Sequence, residues 1–451
     1  MSAADAIRAW HAILEDDAIA QDSSSLMTSQ LTARGLVFGG RPLCTVLRPR
    51  LVTRAQYDRV QHLTRRLMPA FDAILAAALG DFGVRAQFRL ADWEETLVGI
   101  DPGFRAASPT SRLDYFVNDE TGVISLTEYN AETPAGAGFN DALSDLFSDL
   151  PVTRRFARDW EVLPVPTRHG VIRVVLDAWA AWRGVREVPQ IGIIDWKEVP
   201  TASEFEIFQG HFRQLGIPCS IVDPRDAAYD GRTLTFAGVP VTLLYKRVLL
   251  HELAERGGVD HPVFRAVRDG AVCMVNPPRC KILHKKASLA ALTDERNAHL
   301  LTAEQHGAVG ACIPWTRVVE ERTTRFHGEH IDLLPYTAQH RDRFVLKPND
   351  DYGGAGIVLG WTVDSTTWNA ALRTALASPY VVQERVDIPS QGFPSLVDGR
   401  AVVIDRMYDT APFLCDGAYA EGWLCRLSTS ALLNVTAGGG STVPTFLVTA
   451  R

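Results

Sequence analysis

Residues 190–223 contain two short apolar runs, QIGIID (190–195) and IPCSIVD (217–223), separated by the amphipathic stretch SEFEIFQGHFRQLG (203–216). Strands that are apolar throughout need cover on both faces, and a helix between two of them returns the chain to start the second in the same direction. This order predicts a βαβ unit on a parallel sheet. The helix-like HGVIRVVLDAWAAW (169–182) precedes it, and VTLLYKRV (241–248) supplies a further strand.

A different pattern lies upstream. Residues 53–80 predict a helix that ends at Gly80. RLDYFV (112–117) and VISLTEYN (123–130) are strand-like runs joined by NDETG, an Asn/Asp/Gly-rich joint that predicts a hairpin. After residue 280 two helices (286–293, 302–308) are followed by strands near 343–348, 355–361 and 379–386, and a β-rich stretch ends in GGGSTVPTFLV. Antiparallel pairing in one region and parallel pairing in another predicts an α+β protein with a Rossmann-like piece. The corresponding divisions are an N-terminal helical or cap region (1–105), a hairpin region (106–160), an α/β subdomain (161–275) and a C-terminal lobe (276–451). No internal repeat suggests a solenoid.

Composition removes several function classes. A net charge of -7 gives no electrostatic case for nucleic acid. The longest apolar stretch, 171–182, is broken by Arg173 and Asp177 and falls short of the ~20 residues of a membrane-spanning helix. The first twenty residues carry acidic groups and no basic leader, so a cytoplasmic protein is expected. Seven scattered cysteines without a CxxC pair predict buried thiols and neither a disulfide framework nor a zinc site. His340-Arg341-Asp342 and Asp81-Phe82-Gly83 spell kinase motifs in reversed order and are read as chance, and His327-Gly-Glu-His330 as a surface loop.

Two constellations carry chemistry. In VLKPNDDYGGAGIVLG (345–360), Lys347 ends a strand and Gly353, Gly354 and Gly356 follow, so backbone N–H groups there can face an anion. Neither GxxxxGK[ST] nor GxGxxG is met, and an ordinary glycine-tipped hairpin fits the same residues. The apolar strand YVVQERV (380–386) ends in Gln383 and Glu384, which suits an adenine ring packed on aliphatic side chains with its edge at a polar terminus. In the upstream hairpin, Arg112 and Asp114 share one face, as do Glu128 and Asn130. Two carboxylates and an amide are hard-oxygen donors of the kind Mg2+ takes beside phosphates, and the arginine suits a phosphoryl group. A solvated hairpin face is the plainer alternative. The following ETPAGAGFNDALSDLF (132–147) runs from a Pro/Gly loop into a helix whose N-terminus suits an anion.

Together these stretches resemble the glutathionylspermidine synthetase-type ligases, circularly permuted members of the ATP-grasp superfamily. RLD followed by EYNAETPAG (128–136) resembles that family's RxD and EYNxDTP hairpin. NPPRCKILHKKASLAALTDE (276–295) is similar to its Asn-Pro stretch and lysine-bearing helix start, LKPNDDYGGAGIVLG to its glycine loop, and YVVQERVDIP to its adenine strand.

The resemblance implies an ATP-grasp fold with a Rossmann-like preATP-grasp subdomain, ATP as co-substrate and Mg2+ as cofactor. It implies that Asp114, Glu128 and Asn130 hold the metal and that Arg112 contacts the transferring phosphoryl group. Lys347 and Lys286 (or Lys285) would meet the ATP phosphates, Gly353, Gly354 and Gly356 would cover them, and Gln383 and Glu384 would flank the adenine. Glu132, which stands where the family has aspartate, Thr133 and Arg426 would lie toward the substrate, although a structural ion pair accounts for Arg426 equally well. The implied activity is a carboxylate–amine ligase joining a small-molecule or peptide acid to an amine, with neither nucleic acid nor membrane as partner. A non-catalytic ATP-binding scaffold and a phosphotransferase are the alternatives.

Overall fold

The computed structural model describes residues 2–351, 354–430 and 440–451. The predicted βαβ unit is present. Strands Ile191–Ile194, Cys219–Val222, Leu243–Lys246 and Cys273–Val275 form a four-stranded sheet in which every neighbouring pair is parallel. Alternate residues feed two cores. Leu243 and Tyr245 pack with Phe205, Phe208 and Phe212 on one side, and Leu244 packs with Leu250, Leu253 and Phe264 on the other. Burial on both faces is what made these strands read as continuous apolar runs.

The predicted hairpin, Thr110–Val117 with Ile124–Asn130, ends one side of a nine-stranded, mainly antiparallel sheet. Thr110–Val117 pairs with Ala411–Cys415, which pairs with Tyr419–Ser428. Strand Ser441–Ala450 pairs with Tyr419–Ser428, with Trp160–Pro164, and in parallel with Arg50–Val52. The helix Arg54–Gly80 opens on a Thr53–Gln56 capping box and packs Val60, Leu67, Phe71 and Ile74 against hairpin residues Leu113, Tyr115 and Leu126. The N-terminal helices Ala3–Ile13 and Asp17–Ala33 share a core with Phe446 and Val448. Residues 2–105 thus contribute the strand Arg50–Val52 to the main sheet and helices to the two cores packed on it.

The third large sheet is antiparallel, in the order Thr316–Val318, Tyr380–Glu384, Phe344–Pro348, Val358–Leu359. The strand expected over 355–361 is reduced to Val358–Leu359. Gly356 adopts φ +67, where a side chain is strained, and a Cβ there would meet Pro348 at 2.7 Å. Gly360–Thr362 then forms a 3-10 turn. The architecture is thus mixed α/β, with parallel and antiparallel sheets segregated along the chain. Among the described residues no single helix is long and apolar enough to cross a membrane. All seven cysteines are buried free thiols, and burial raises their pKa values.

Candidate active site

Period-2 alternation aims the strand Phe344–Pro348 at two environments. Phe344 and Leu346 enter an apolar core with Trp368 and Val382, while Val345 and Lys347 line a cleft. Across from them lie Asp114, Phe116, Thr127 and Glu128 of the hairpin, with Gln383, Glu384, Asp409 and Arg426 completing the same cleft. Two constellations more than 200 residues apart in sequence thus share one cavity.

In the hairpin Arg112 stands opposite Asn130 and Asp114 opposite Glu128. The register then slips so that Tyr115 faces Leu126, leaving Thr127 as a bulged residue. A bulge frees a backbone carbonyl from the ladder, and the Thr127 carbonyl accepts a hydrogen bond from Lys347 Nζ at 3.0 Å. Lys347 also donates to Gln383 Oε1 at 2.7 Å, and Gln383 Nε2 donates to Thr316 Oγ1 at 3.0 Å. Burial lowers the Lys347 pKa to about 8, against the pull of Glu128.

The carboxylates are held by cations. Arg112 Nε donates to Asp114 Oδ1 at 2.9 Å, and Arg426 Nη2 donates to Asp114 Oδ2 at 2.6 Å. Burial would raise the Asp114 pKa, but the two guanidiniums hold it well below the usual range. Glu128 Oε1 pairs with Lys286 Nζ at 2.8 Å, which more than offsets its burial and lowers its pKa. Lys286 Nζ also donates to the Asp351 carbonyl at 2.8 Å, joining the hairpin to the start of the glycine loop. The amide Nδ2 of Asn130 is buried without a partner. Two carboxylates and a side-chain amide on adjacent strands form an oxygen-donor set that fits Mg2+.

Lys285, which sequence alone left interchangeable with Lys286, points elsewhere. Its Nζ pairs with Glu94 Oε2 at 2.9 Å and Asp350 Oδ2 at 3.0 Å. Lys281 Nζ bridges Glu132 Oε2 at 3.0 Å and Asp350 Oδ1 at 2.6 Å, and Lys246 lies 3.5 Å from Glu132. Three lysines and three carboxylates thus form an internal cluster. Burial opposes ionisation of Glu132, yet Lys281 and Lys246 lower its pKa to about 2. Burial keeps the adjacent His284 neutral, with a pKa lowered to about 4. Glu132, His284 and Asp350 present ligand atoms within 4.8 Å of one another, but the Lys281 ammonium already bridges the two carboxylates.

The remaining expected residues divide as follows. Glu132 is fully buried in the lysine cluster, where Lys281, Lys246 and the Leu250 amide already occupy its oxygens, and it does not face the cleft. Thr133 is half-buried at the start of the Pro/Gly loop. The helix N-terminus at Ala137 carries an anion from the chain itself, since the Gly136 and Gly138 amides donate to Glu204 Oε1 at 2.8 and 3.0 Å. Gly354 lines the cleft, whereas Gly353 lies outside the described residues. Arg426 is an ion-pair partner of Asp114 and Asp409. Glu384 lines the cleft and meets His327 Nε2 at 2.9 Å from an exposed hairpin turn.

Asp409 is the residue that sequence reasoning missed. It is buried at the end of strand Arg400–Tyr408 and accepts from Arg426 Nε at 2.6 Å and from the Arg426 amide at 2.7 Å. The only local signal was an acid closing a long strand. Trp361 and Arg385 also line the cleft, with the guanidinium 4.4 Å from the indole centroid.

Neither a protein family model nor a curated protein matches the chain. Among solved structures, a glutathione synthetase-like effector from Globodera pallida, in apoform, aligns over 96% of this chain and 98% of its own. Its TM-score is 0.60 at 14% identity. The two chains share a fold. A candidate gamma-glutamylcysteine synthetase from Methylobacillus flagellatus aligns at TM-score 0.43 and 11% identity, over 85% of this chain and 88% of its own. D-alanyl-alanine synthetase A from Vibrio cholerae aligns at 0.27 and 10%, over 49% and 67%. The fold assignment rests on the first.

Proposed function

We propose that this protein is an ATP-dependent carboxylate–amine ligase of the circularly permuted ATP-grasp kind. One observation carries the reading: Asp114 and Glu128 of the hairpin share a cleft with Lys347, Gln383 and Gly354 of the glycine-loop sheet. The likeness in fold to a glutathione synthetase-like effector supports it.

In this reading ATP lies along the Phe344–Pro348 strand, with its base toward Gln383 and Glu384 and its phosphates toward Lys347 and Lys286. Asp114, Glu128 and Asn130 would hold Mg2+, which when bound supplies charge neutralisation at the β- and γ-phosphates. A carboxylate oxygen of the acid attacks the γ-phosphorus, the β–γ bridging bond breaks, and ADP leaves with its electron pair. The amine then attacks the carbonyl carbon of the acyl phosphate, loses a proton, and expels inorganic phosphate as the amide forms. Lys347 and Lys286 orient the phosphates, and Arg112 stabilises the charge spread over the transferring group. Positioning and fixed charge do most of the catalytic work in phosphoryl transfer.

The test is ADP release by the full chain against a panel of amino acids and short peptides, with and without amines and with hydroxylamine as a trap. Acid-dependent ADP release with hydroxamate formation is expected. ATP turnover without hydroxamate would move the protein to the phosphotransferases, and nucleotide binding without turnover on any acid would make it a scaffold.

A further inference from the structure

Both oxygens of Asp114 are occupied by arginines from two different strands. Arg112 belongs to the same strand, two residues away, and its Nη1 is also committed to the Ala135 carbonyl at 2.7 Å. Arg426 comes from strand Tyr419–Ser428 and is bonded differently. Its Nη2 reaches Asp114 Oδ2 at 2.6 Å, while its Nε and its backbone amide both donate to Asp409. The contact with Asp114 can therefore break while the guanidinium stays attached to Asp409.

Charge sharpens the point. Arg112, Arg426, Lys286, Lys347 and Arg385 are five cations around the four carboxylates Asp114, Glu128, Asp409 and Glu384. A bare divalent cation would add to an existing positive excess at a poorly solvated site. A polyphosphate arriving with the metal reverses that balance.

We propose that Arg426 is a tethered stand-in for the divalent cation at Asp114, and that Asp409 is the positioning residue that retains the guanidinium when the metal takes its place. Arg426 keeps the carboxylate paired in the absence of ligand and turns away free metal, so metal binds together with nucleotide and not before it. Once displaced from Asp114, the guanidinium remains at the cleft on Asp409, available to an anionic group of the substrate. The inference rests on the ligase reading and adds an order of binding to it.

Mn2+ is the probe, with binding to the full chain followed by the electron paramagnetic resonance of the free ion, with and without ADP. In the wild type ADP is expected to tighten Mn2+ binding by about tenfold or more. Arg426→Gln should bind Mn2+ alone about tenfold more tightly than wild type and lose most of the dependence on ADP. A gain in affinity is not what a damaged fold produces. If the neutral variant does not fold, Arg426→Lys, which keeps a cation but loses the fork spanning both carboxylates, should gain in the same sense by a smaller factor. No gain in the variant that folds overturns the stand-in.

Asp409→Asn should move in the opposite direction, because the displaced guanidinium loses its second carboxylate; Mn2+–ADP then binds several-fold more weakly. The double variant should behave like Arg426→Gln, since nothing remains to tether. A double variant as weak as Asp409→Asn would make Asp409 a metal ligand and overturn its tethering role. A wild-type protein that binds neither ADP nor Mn2+–ADP removes the ligase reading itself, and the inference with it.

Discussion

Lys285 and Lys286 are neighbours in sequence, yet they serve two ionic clusters of opposite character. Lys285 joins Lys281, Lys246, Glu94, Glu132 and Asp350, where three cations meet three anions and the lysines and glutamates are almost wholly buried. Lys286 joins Glu128, Lys347, Asp114 and the two arginines, where cations are in excess and Asp114, Glu128, Lys347 and Arg426 line a cleft. The first cluster satisfies itself and ties together segments spread from residue 94 to residue 350. The second, on the ligase reading, is the one whose positive surplus would suit a polyphosphate. Burial alone does not distinguish the two clusters; the balance of charge does.

Four experiments can break that contrast. The largest effect is expected for Lys281→Ala, which removes the ammonium bridging Glu132 and Asp350 and leaves the cluster with two lysines, Lys246 and Lys285, against three carboxylates. Removing one partner of a buried pair costs about 3–5 kcal/mol, and the loss should appear in denaturant unfolding. A variant with the denaturation midpoint of the wild type would mean the cluster is not structural.

Arg112→Ala belongs to the other cluster. It should leave a folded protein whose acid-dependent ADP release is reduced about 100–1000-fold, equivalent to about 2.7–4 kcal/mol. Near-normal turnover would reject its role at the transferring group.

The lysine pair offers the sharpest comparison. Lys285→Ala should lose about 1.5–3 kcal/mol of stability and retain ATP affinity. Lys286→Ala should bind ATP about tenfold more weakly. Equal effects of the two on ATP affinity would erase the distinction between the clusters.

The smallest effect is a titration. Burial lowers the Lys347 pKa to about 8, so its proton is held below that pH and lost above it. A phosphate contact needs the proton, so ATP affinity should fall as pH rises through 8, up to about tenfold between pH 7 and pH 9. Lys347→Met should flatten that profile when binding is followed by calorimetry. An unchanged profile would remove Lys347 from the phosphate contacts.

What sequence could reveal followed the range of the interaction responsible. The hairpin was legible because its alternation and its Asn/Asp/Gly joint are local, and the parallel sheet because burial on both faces leaves continuous apolar runs. The placement of Asp114, Glu128, Lys286 and Lys347 near one another came only through the family resemblance. The surroundings of Glu132 were not legible because the Lys281 and Lys246 side chains that pair with it lie more than 100 residues away. The helix N-terminus at Ala137 looked free for a ligand because Glu204, which fills it, belongs to another helix. Asp409 carried no motif at all, and its importance arises from Arg426 reaching it across the sheet.

Strand Ser441–Ala450 has a consequence for how the molecule is made. It pairs with Tyr419–Ser428, which carries Arg426, and with Arg50–Val52 near the start of the chain. On the ribosome, residues 50–52 therefore wait for a partner nearly four hundred positions downstream. Until that partner emerges, the central sheet has exposed edges and the strand bearing Arg426 is paired only with Ala411–Cys415 and the end of Arg400–Tyr408. Such edges favour pairing between nascent chains. The strand bearing Arg426 gains its last neighbour only after synthesis of Ser441–Ala450, so a product terminated before it would carry an open sheet edge beside the cleft.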